Sequence, residues 1–314
     1  MKRSVIQRTE MLGAKLNLGG PPIELDEYMT TGLLAIAVGP RGKGKTNAGL
    51  VMAEQLSEQG WISVLIDPEE ELESMYGEAV KDAQELAKHL KDRKKPIVVV
   101  TARDVYEFLP YGNAILDAAD KYRKPIFLMV DEGQLFSQNK RRKDGVGEAS
   151  DLINDFADRG RKRALDLFLT AHRYTGSIHR GIFNNKNLTL VGCQEDPTVW
   201  SSLAPQFRQS KITYNDLNAL STGEFFCISS RGMEKIKMPM AKALKKVAPA
   251  AKTVKRTLPS TFRQWSHAMR TIPTERLQAL TDPVTNLLGA VAGLTAQQML
   301  SGSRALQDEL ESRA

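Results

Sequence analysis

Eight consecutive residues, Gly39-Pro40-Arg41-Gly42-Lys43-Gly44-Lys45-Thr46, satisfy the pattern G-x-x-x-x-G-K-[ST] at every position. These residue types suit one chemistry. Glycines let the backbone curl until successive N–H groups point inward at phosphate oxygens. A helix that starts at the end of the loop adds the positive end of its dipole. In such a loop Lys45 reaches the β- and γ-phosphates of a nucleoside triphosphate, and the Thr46 hydroxyl binds Mg²⁺. ATP and Mg²⁺ are the expected ligands, with residues 39–46 as the ATP-binding segment.

Further along, the apolar run Ile126–Val130 ends in Asp131-Glu132, the form of a Walker B strand. Asp131 is the expected Mg²⁺ ligand, through water, and Glu132 the group that polarises the attacking water. A glutamate there favours a hydrolytic motor over a kinase or a nucleotide-dependent switch, which need no carboxylate beside the metal-binding aspartate. Leu167–Thr170 then leads to His172 and Arg173. At the end of a strand on that edge, His172 could sense the γ-phosphate, or it could be an ordinary strand-end histidine. Asp158-Arg159-Gly160-Arg161-Lys162-Arg163 closes a helical stretch. Cations favour a helix C-terminus in any case. The functional alternative is that Arg159 or Arg161 is an arginine finger reaching a neighbouring subunit's ATP.

The elements that must position these groups are legible as alternation. Leu33–Val38, Ile62–Ile66, Ile97–Val100, Ile126–Val130, Leu167–Leu169 and Leu188–Val191 are short apolar runs, as strands buried on both faces should be. Helical stretches such as Asn47–Gln59 and Asp151–Arg163 lie between them, which predicts a mostly parallel sheet covered by helices. A closing hairpin is expected from Glu224–Ser229 and Lys235–Met238 through Ser230-Arg231-Gly232. The reading divides the chain into a lead-in (1–32), an α/β P-loop domain (33–240), a basic linker (241–259) and a helical C-terminal region (260–314).

Taken in order, these motifs resemble the HerA/FtsK superfamily of ring ATPases, over about Leu33 to Met238. The strand Val64–Asp67 with Glu71 after it is similar to the family's second strand. Val130–Phe136 is similar to its Walker B segment and Gly160–Arg163 to its helix-end motif. Thr170–Arg173 stands in the place of its third motif, and Ile182–Asn187 resembles its polar turn before a strand. His172 stands where the family usually has Gln. The resemblance implies a RecA-like fold, a homo-oligomeric ring of six, and movement of double-stranded DNA through its pore. Only 38 residues precede the loop, so the N-terminal barrel of cellular relatives and the membrane spans of FtsK proteins are not expected. The stripped-down form looks most like viral genome-packaging ATPases. A Zot-like ATPase driving virion assembly or protein remodelling is the alternative, and a monomeric P-loop switch or kinase a third.

Charge adds a partner. The formal net charge is +7. Lys140, Arg141, Arg142 and Lys143 carry four positive charges. Lys242, Lys245, Lys246, Lys252, Lys255 and Arg256 carry six, leaving −3 for the rest of the chain. Two basic insertions on a near-neutral body point to a polyanion held at defined places. The first follows Walker B within the expected loop Ser137–Glu148. Lys140–Lys143 are the candidate DNA-binding residues, gripping phosphates without regard to sequence. The C-terminal helices are expected to close on the core or to dock on a capsid vertex or membrane-associated protein. The composition, 26% charged and 41% apolar, is that of a soluble globular protein. Two cysteines make no disulfide framework, and no secretory signal or spanning helix is evident, so a cytoplasmic or virion-associated protein is expected.

Overall fold

The computed structural model describes residues 12–137, 145–174, 178–208 and 210–247. Lys140, Arg141, Arg142, Lys143, the Arg161 side chain and everything after Val247, including the expected C-terminal helices, lie outside the described residues or side chains. A ribbon of β1 (Lys15–Leu16) and β2 (Ile23–Glu24) comes first. Then follow β3 (Leu34–Val38), α1 (Lys45–Glu58), β4 (Ile62–Asp67), α2 (Glu73–Tyr76), α3 (Ala83–Asp92) and β5 (Ile97–Thr101). After these come α4 (Val105–Tyr122), β6 (Ile126–Val130), α5 (Gly145–Arg163), β7 (Leu165–Ala171), α6 (Arg180–Asn185) and β8 (Leu188–Val191). The described part closes with α7 (Trp200–Phe207), α8 (Tyr214–Asn218), β9 (Glu224–Ser229), β10 (Gly232–Lys237) and α9 (Lys242–Val247).

Eight strands form one sheet in the order β10-β9-β8-β3-β7-β6-β4-β5. The six from β8 to β5 are parallel, and β9 and β10 close the sheet antiparallel. Successive strand residues face opposite sides, which divides the core in two. Ile36, Val64, Val100, Leu128 and Leu169 join Phe108, Ile153 and Phe156 from α4 and α5. Ala35, Ala37, Phe127, Met129 and Phe168 join Leu50 and Met52 from α1, together with Leu16, Leu18 and Ile23 from the lead-in. Small residues bring α1 close to the sheet. A Cβ at Gly49 would lie 2.6 Å from Met129 Sδ and 2.8 Å from Phe168 Cε1.

Several boundaries correct the sequence expectations. Helix α5 begins at Gly145, so the last four residues of the expected Ser137–Glu148 loop are helical. Val146 packs on the core and Glu148 complements the first turn. The 182–187 segment is not a turn: 182–185 belong to α6, which His179 caps by accepting from Gly181 N. Strand β7 is longer at both ends than Leu167–Leu169. It absorbs Asp166 because that carboxylate accepts Leu33 N–H and Trp61 Nε1–H at 2.8 Å each. The hairpin turn is Ser230-Arg231, with Gly232 already in β10.

The expected linker also starts with structure. Helix α9 is held to α1 at its first turn, where Glu54, 8% exposed, accepts Lys242 N–H at 2.6 Å and Ala243 N–H at 2.8 Å. Tyr76 donates its hydroxyl hydrogen to the same carboxylate at 2.8 Å. Two turns nearer the phosphate loop, Asn47 donates to Pro239 O at 2.8 Å and accepts Ala241 N–H at 2.9 Å. Residues 239–243 therefore form a strap clamped along the phosphate-loop helix.

Candidate nucleotide site

Strand register builds the site at the carboxyl edge of the parallel sheet, where ligands of such sheets bind. Val38 pairs with Ala171, Val130 with Leu169, and Ile66 with Val130. The next residues along these strands are Gly39, Thr170 to His172, Asp131 and Asp67. Because β7 lies between β3 and β6, its polar end is interposed between the phosphate loop and Asp131-Glu132.

The loop 39–46 has the backbone its glycines allow. Gly42 and Gly44 take φ of +73° and +92°, in the left-handed region that side chains with a Cβ rarely enter. Lys45 is buried and donates to Pro40 O at 2.9 Å. Desolvation lowers its pKa, and the charges of Glu132 and Asp131 oppose that shift. The loop is braced from outside. Lys43 pairs with Glu195 at 2.8 Å, and Gly223 N–H donates to Lys43 O at 3.1 Å. Arg41 lies 3.5 Å from Glu69 on the surface.

Asp131 accepts hydrogen bonds on both oxygens, from Thr46 Oγ1 at 2.9 Å and from Thr170 Oγ1 at 2.6 Å. A hydroxyl and a carboxylate this close are two hard oxygen donors, which suits Mg²⁺. Glu132 has φ +49°, a conformation that costs a non-glycine residue about 1 kcal/mol or more. Its N–H donates to Thr170 Oγ1 at 2.9 Å. Its carboxylate accepts from Gln134 Nε2 and pairs with His172 Nε2 at 2.7 Å. His172 thus contacts the candidate base itself.

Asp67, at the end of β4, accepts Leu72 N–H at 2.7 Å, and burial raises its pKa. The Arg159–Arg163 cluster is placed elsewhere. Helix α5 returns to the start of β7, so its C-terminus lies at the opposite sheet edge. The seven residues of β7 separate the two edges by about 20 Å. Arg159 pairs with Asp155 at 3.3 Å, and Arg163 with Asp120. Arg159 and Arg163 therefore lie away from this chain's own phosphate loop.

Sequence reading did not assign Thr170 and Gln134 to the site, nor Asn47. Thr170 was visible as a motif residue, but its role depends on the β6–β7 register, which no local signal carries.

No protein-family model matches the sequence, and no curated protein matches it. Solved structures do. The genome packaging NTPase B204 from Sulfolobus turreted icosahedral virus 2, in complex with AMPPCP, superposes with a TM-score of 0.53 at 16% identity, over 67% of this chain and 100% of that one. The DNA-packaging ATPase B204 from Sulfolobus Turreted Icosahedral Virus gives 0.51 at 14% identity, over 65% and 97%. The pCW3 conjugation coupling protein TcpA, with ATPγS, gives 0.51 at 14% identity, over 74% and 68%. At these identities the likeness shows a shared fold, the α/β fold of P-loop NTPases with a mostly parallel central sheet.

Proposed function

We propose that this chain is an ATPase that drives double-stranded DNA as a ring, in the manner of a genome-packaging motor. The observation that carries the hydrolytic part is Glu132, fixed by Thr170, His172 and Gln134 beside a phosphate loop whose Thr46 contacts Asp131. Lys45 leaves Pro40 O to neutralise the β- and γ-phosphates. Mg²⁺ held by Thr46 and Asp131 would offset charge on the same oxygens. Glu132 orients and deprotonates the attacking water, while His172 and Gln134 hold its carboxylate in place. Arg159 or Arg161, remote from the chain's own loop, acts on a neighbouring subunit's ATP, which makes the ring the catalytic unit. Lys140–Lys143, between Glu132 and α5, grip the duplex.

The packaging reading is supported by likeness to a genome packaging NTPase and a DNA-packaging ATPase, each of which the match covers almost entirely. The segment after Val247 docks the ring on a capsid vertex or membrane-associated protein. Among the described residues no helix is long and apolar enough to cross a membrane. The test is Mg-ATP turnover with and without long duplex DNA, run beside sedimentation analysis of mass. The proposal expects duplex-stimulated turnover in an oligomer. Turnover by a monomer, indifferent to DNA, would refute it in favour of a switch. Stimulation by a virion protein but not by DNA would point to assembly work.

A further inference from the structure

The catalytic acids define one end of the bound nucleotide, and the sheet order defines the other. Asp131 and Glu132 reach the phosphate loop from the β7–β6 side, so the γ-phosphate lies there. The α-phosphate and nucleoside must leave the loop on the opposite side, toward β8, β9 and β10. Two segments border the loop on that side. The turn before β9 abuts it: Gly223 N–H donates to Lys43 O at 3.1 Å, and a Cβ on Gly44 would stand 3.3 Å from Gly223 Cα. The strap after β10 lies along the first turn of α1, clamped by Asn47, the residue directly after Thr46.

The strap presents one apolar side chain to solvent. Met238 and Ala241 are buried in the core, whereas Met240 is 55% exposed. It is one of four large exposed apolar side chains among the described residues. Asn47 fixes the backbone on both flanks of Met240 and so holds this residue at a set place along the first turn of α1. A thioether on a rigid strap is suited to the face of a planar ring, because sulfur contacts aromatic systems favourably and adapts in shape.

Resting on the nucleotide-site reading above, we infer that the strap and the Thr222-Gly223 turn form the nucleobase subsite, with Met240 packing on the base. Met240 is thereby a specificity residue and Asn47 its positioning residue. The subsite also joins the nucleotide to the segment that leads into the C-terminal region.

Calorimetric titration of the full chain with AMPPCP and with inorganic tripolyphosphate, each with Mg²⁺, tests this. Met240→Ala should weaken AMPPCP binding about 3- to 10-fold and leave tripolyphosphate binding unchanged. Met240→Leu should stay within about 2-fold of the parent for AMPPCP. Asn47→Ala should reproduce the selective loss. Equal weakening of both ligands by Met240→Ala, or no change in AMPPCP binding, would overturn the subsite. Failure of the parent chain to bind either ligand would instead overturn the nucleotide-site reading.

Discussion

Glu54 is the most exacting test of the clamp on α9. Its carboxylate is almost fully buried and accepts three hydrogen bonds, from Lys242 N–H, Ala243 N–H and the Tyr76 hydroxyl. Hydrogen bonds to a charged group contribute about 1.5–3 kcal/mol each. Truncation to alanine does not forfeit all three, since the partly buried Lys242 N–H and the Tyr76 hydroxyl regain water. The buried Ala243 N–H does not, and it carries the full desolvation cost. The net loss is about 2–4 kcal/mol. For a domain of this size each kcal/mol lowers Tm by about 2–4 °C, so Glu54→Ala should melt roughly 4–16 °C below the parent. Hydrogen exchange should locate the damage: amides of 239–247 lose protection first, while β3 and β6 stay protected. Glu54→Gln should recover little, because an amide N–H₂ would face backbone donors. A Tm within about 1 °C of the parent, with unchanged exchange over 239–247, would refute the clamp.

Three further outcomes concern other parts of the chain. Burial raises the Asp67 pKa, so its contribution is fully present below the unfolded-state value and is lost as pH rises through the folded one. The Tm of Asp67→Asn minus that of the parent should therefore become more positive as pH rises above about 4; a pH-independent difference contradicts this. Gly49→Ala inserts a methyl against Met129 and Phe168. Overpacking should cost about 1–3 kcal/mol, less about 1 regained in helix propensity, and thermal melting with nucleotide titration should show lower stability and weaker binding together. Neutralising Lys140, Arg141, Arg142 and Lys143 should leave ATP turnover without DNA intact and abolish its stimulation by duplex. The salt slope of DNA binding, read by fluorescence anisotropy, should fall by up to about 3 to 4. An unchanged slope would remove this segment from the DNA path.

The chemistry was legible where it is local. Gly39–Thr46 and Ile126–Glu132 each place their groups within a few residues, and the strand–helix alternation fixed which sheet edge they would share. What stayed hidden depends on distant chain. Thr170 joins Asp131 only through the β6–β7 register, and His172 meets Glu132 only because β7 enters the sheet between β3 and β6. The Ala-, Lys- and Pro-rich stretch after Met240 has the composition of a tether, and its anchor is a carboxylate 188 residues earlier. Helix α5 absorbed part of the loop after Walker B because Val146 finds the core, a contact that glycine-containing sequence does not advertise. The helix-end cations were visible, but that they lie at the wrong edge for their own phosphates is a property of topology alone.

The central claim is that Glu132 is the base of an ATP-hydrolysing site, and Glu132→Gln measures it most directly. The substitution leaves Lys45, Thr46 and Asp131 untouched. Mg-ATP should bind Glu132→Gln with an affinity within a few-fold of the parent, whereas a single-turnover assay should show hydrolysis slowed by about 10²–10⁴. Hydrolysis by Glu132→Gln at the parent rate would contradict the account.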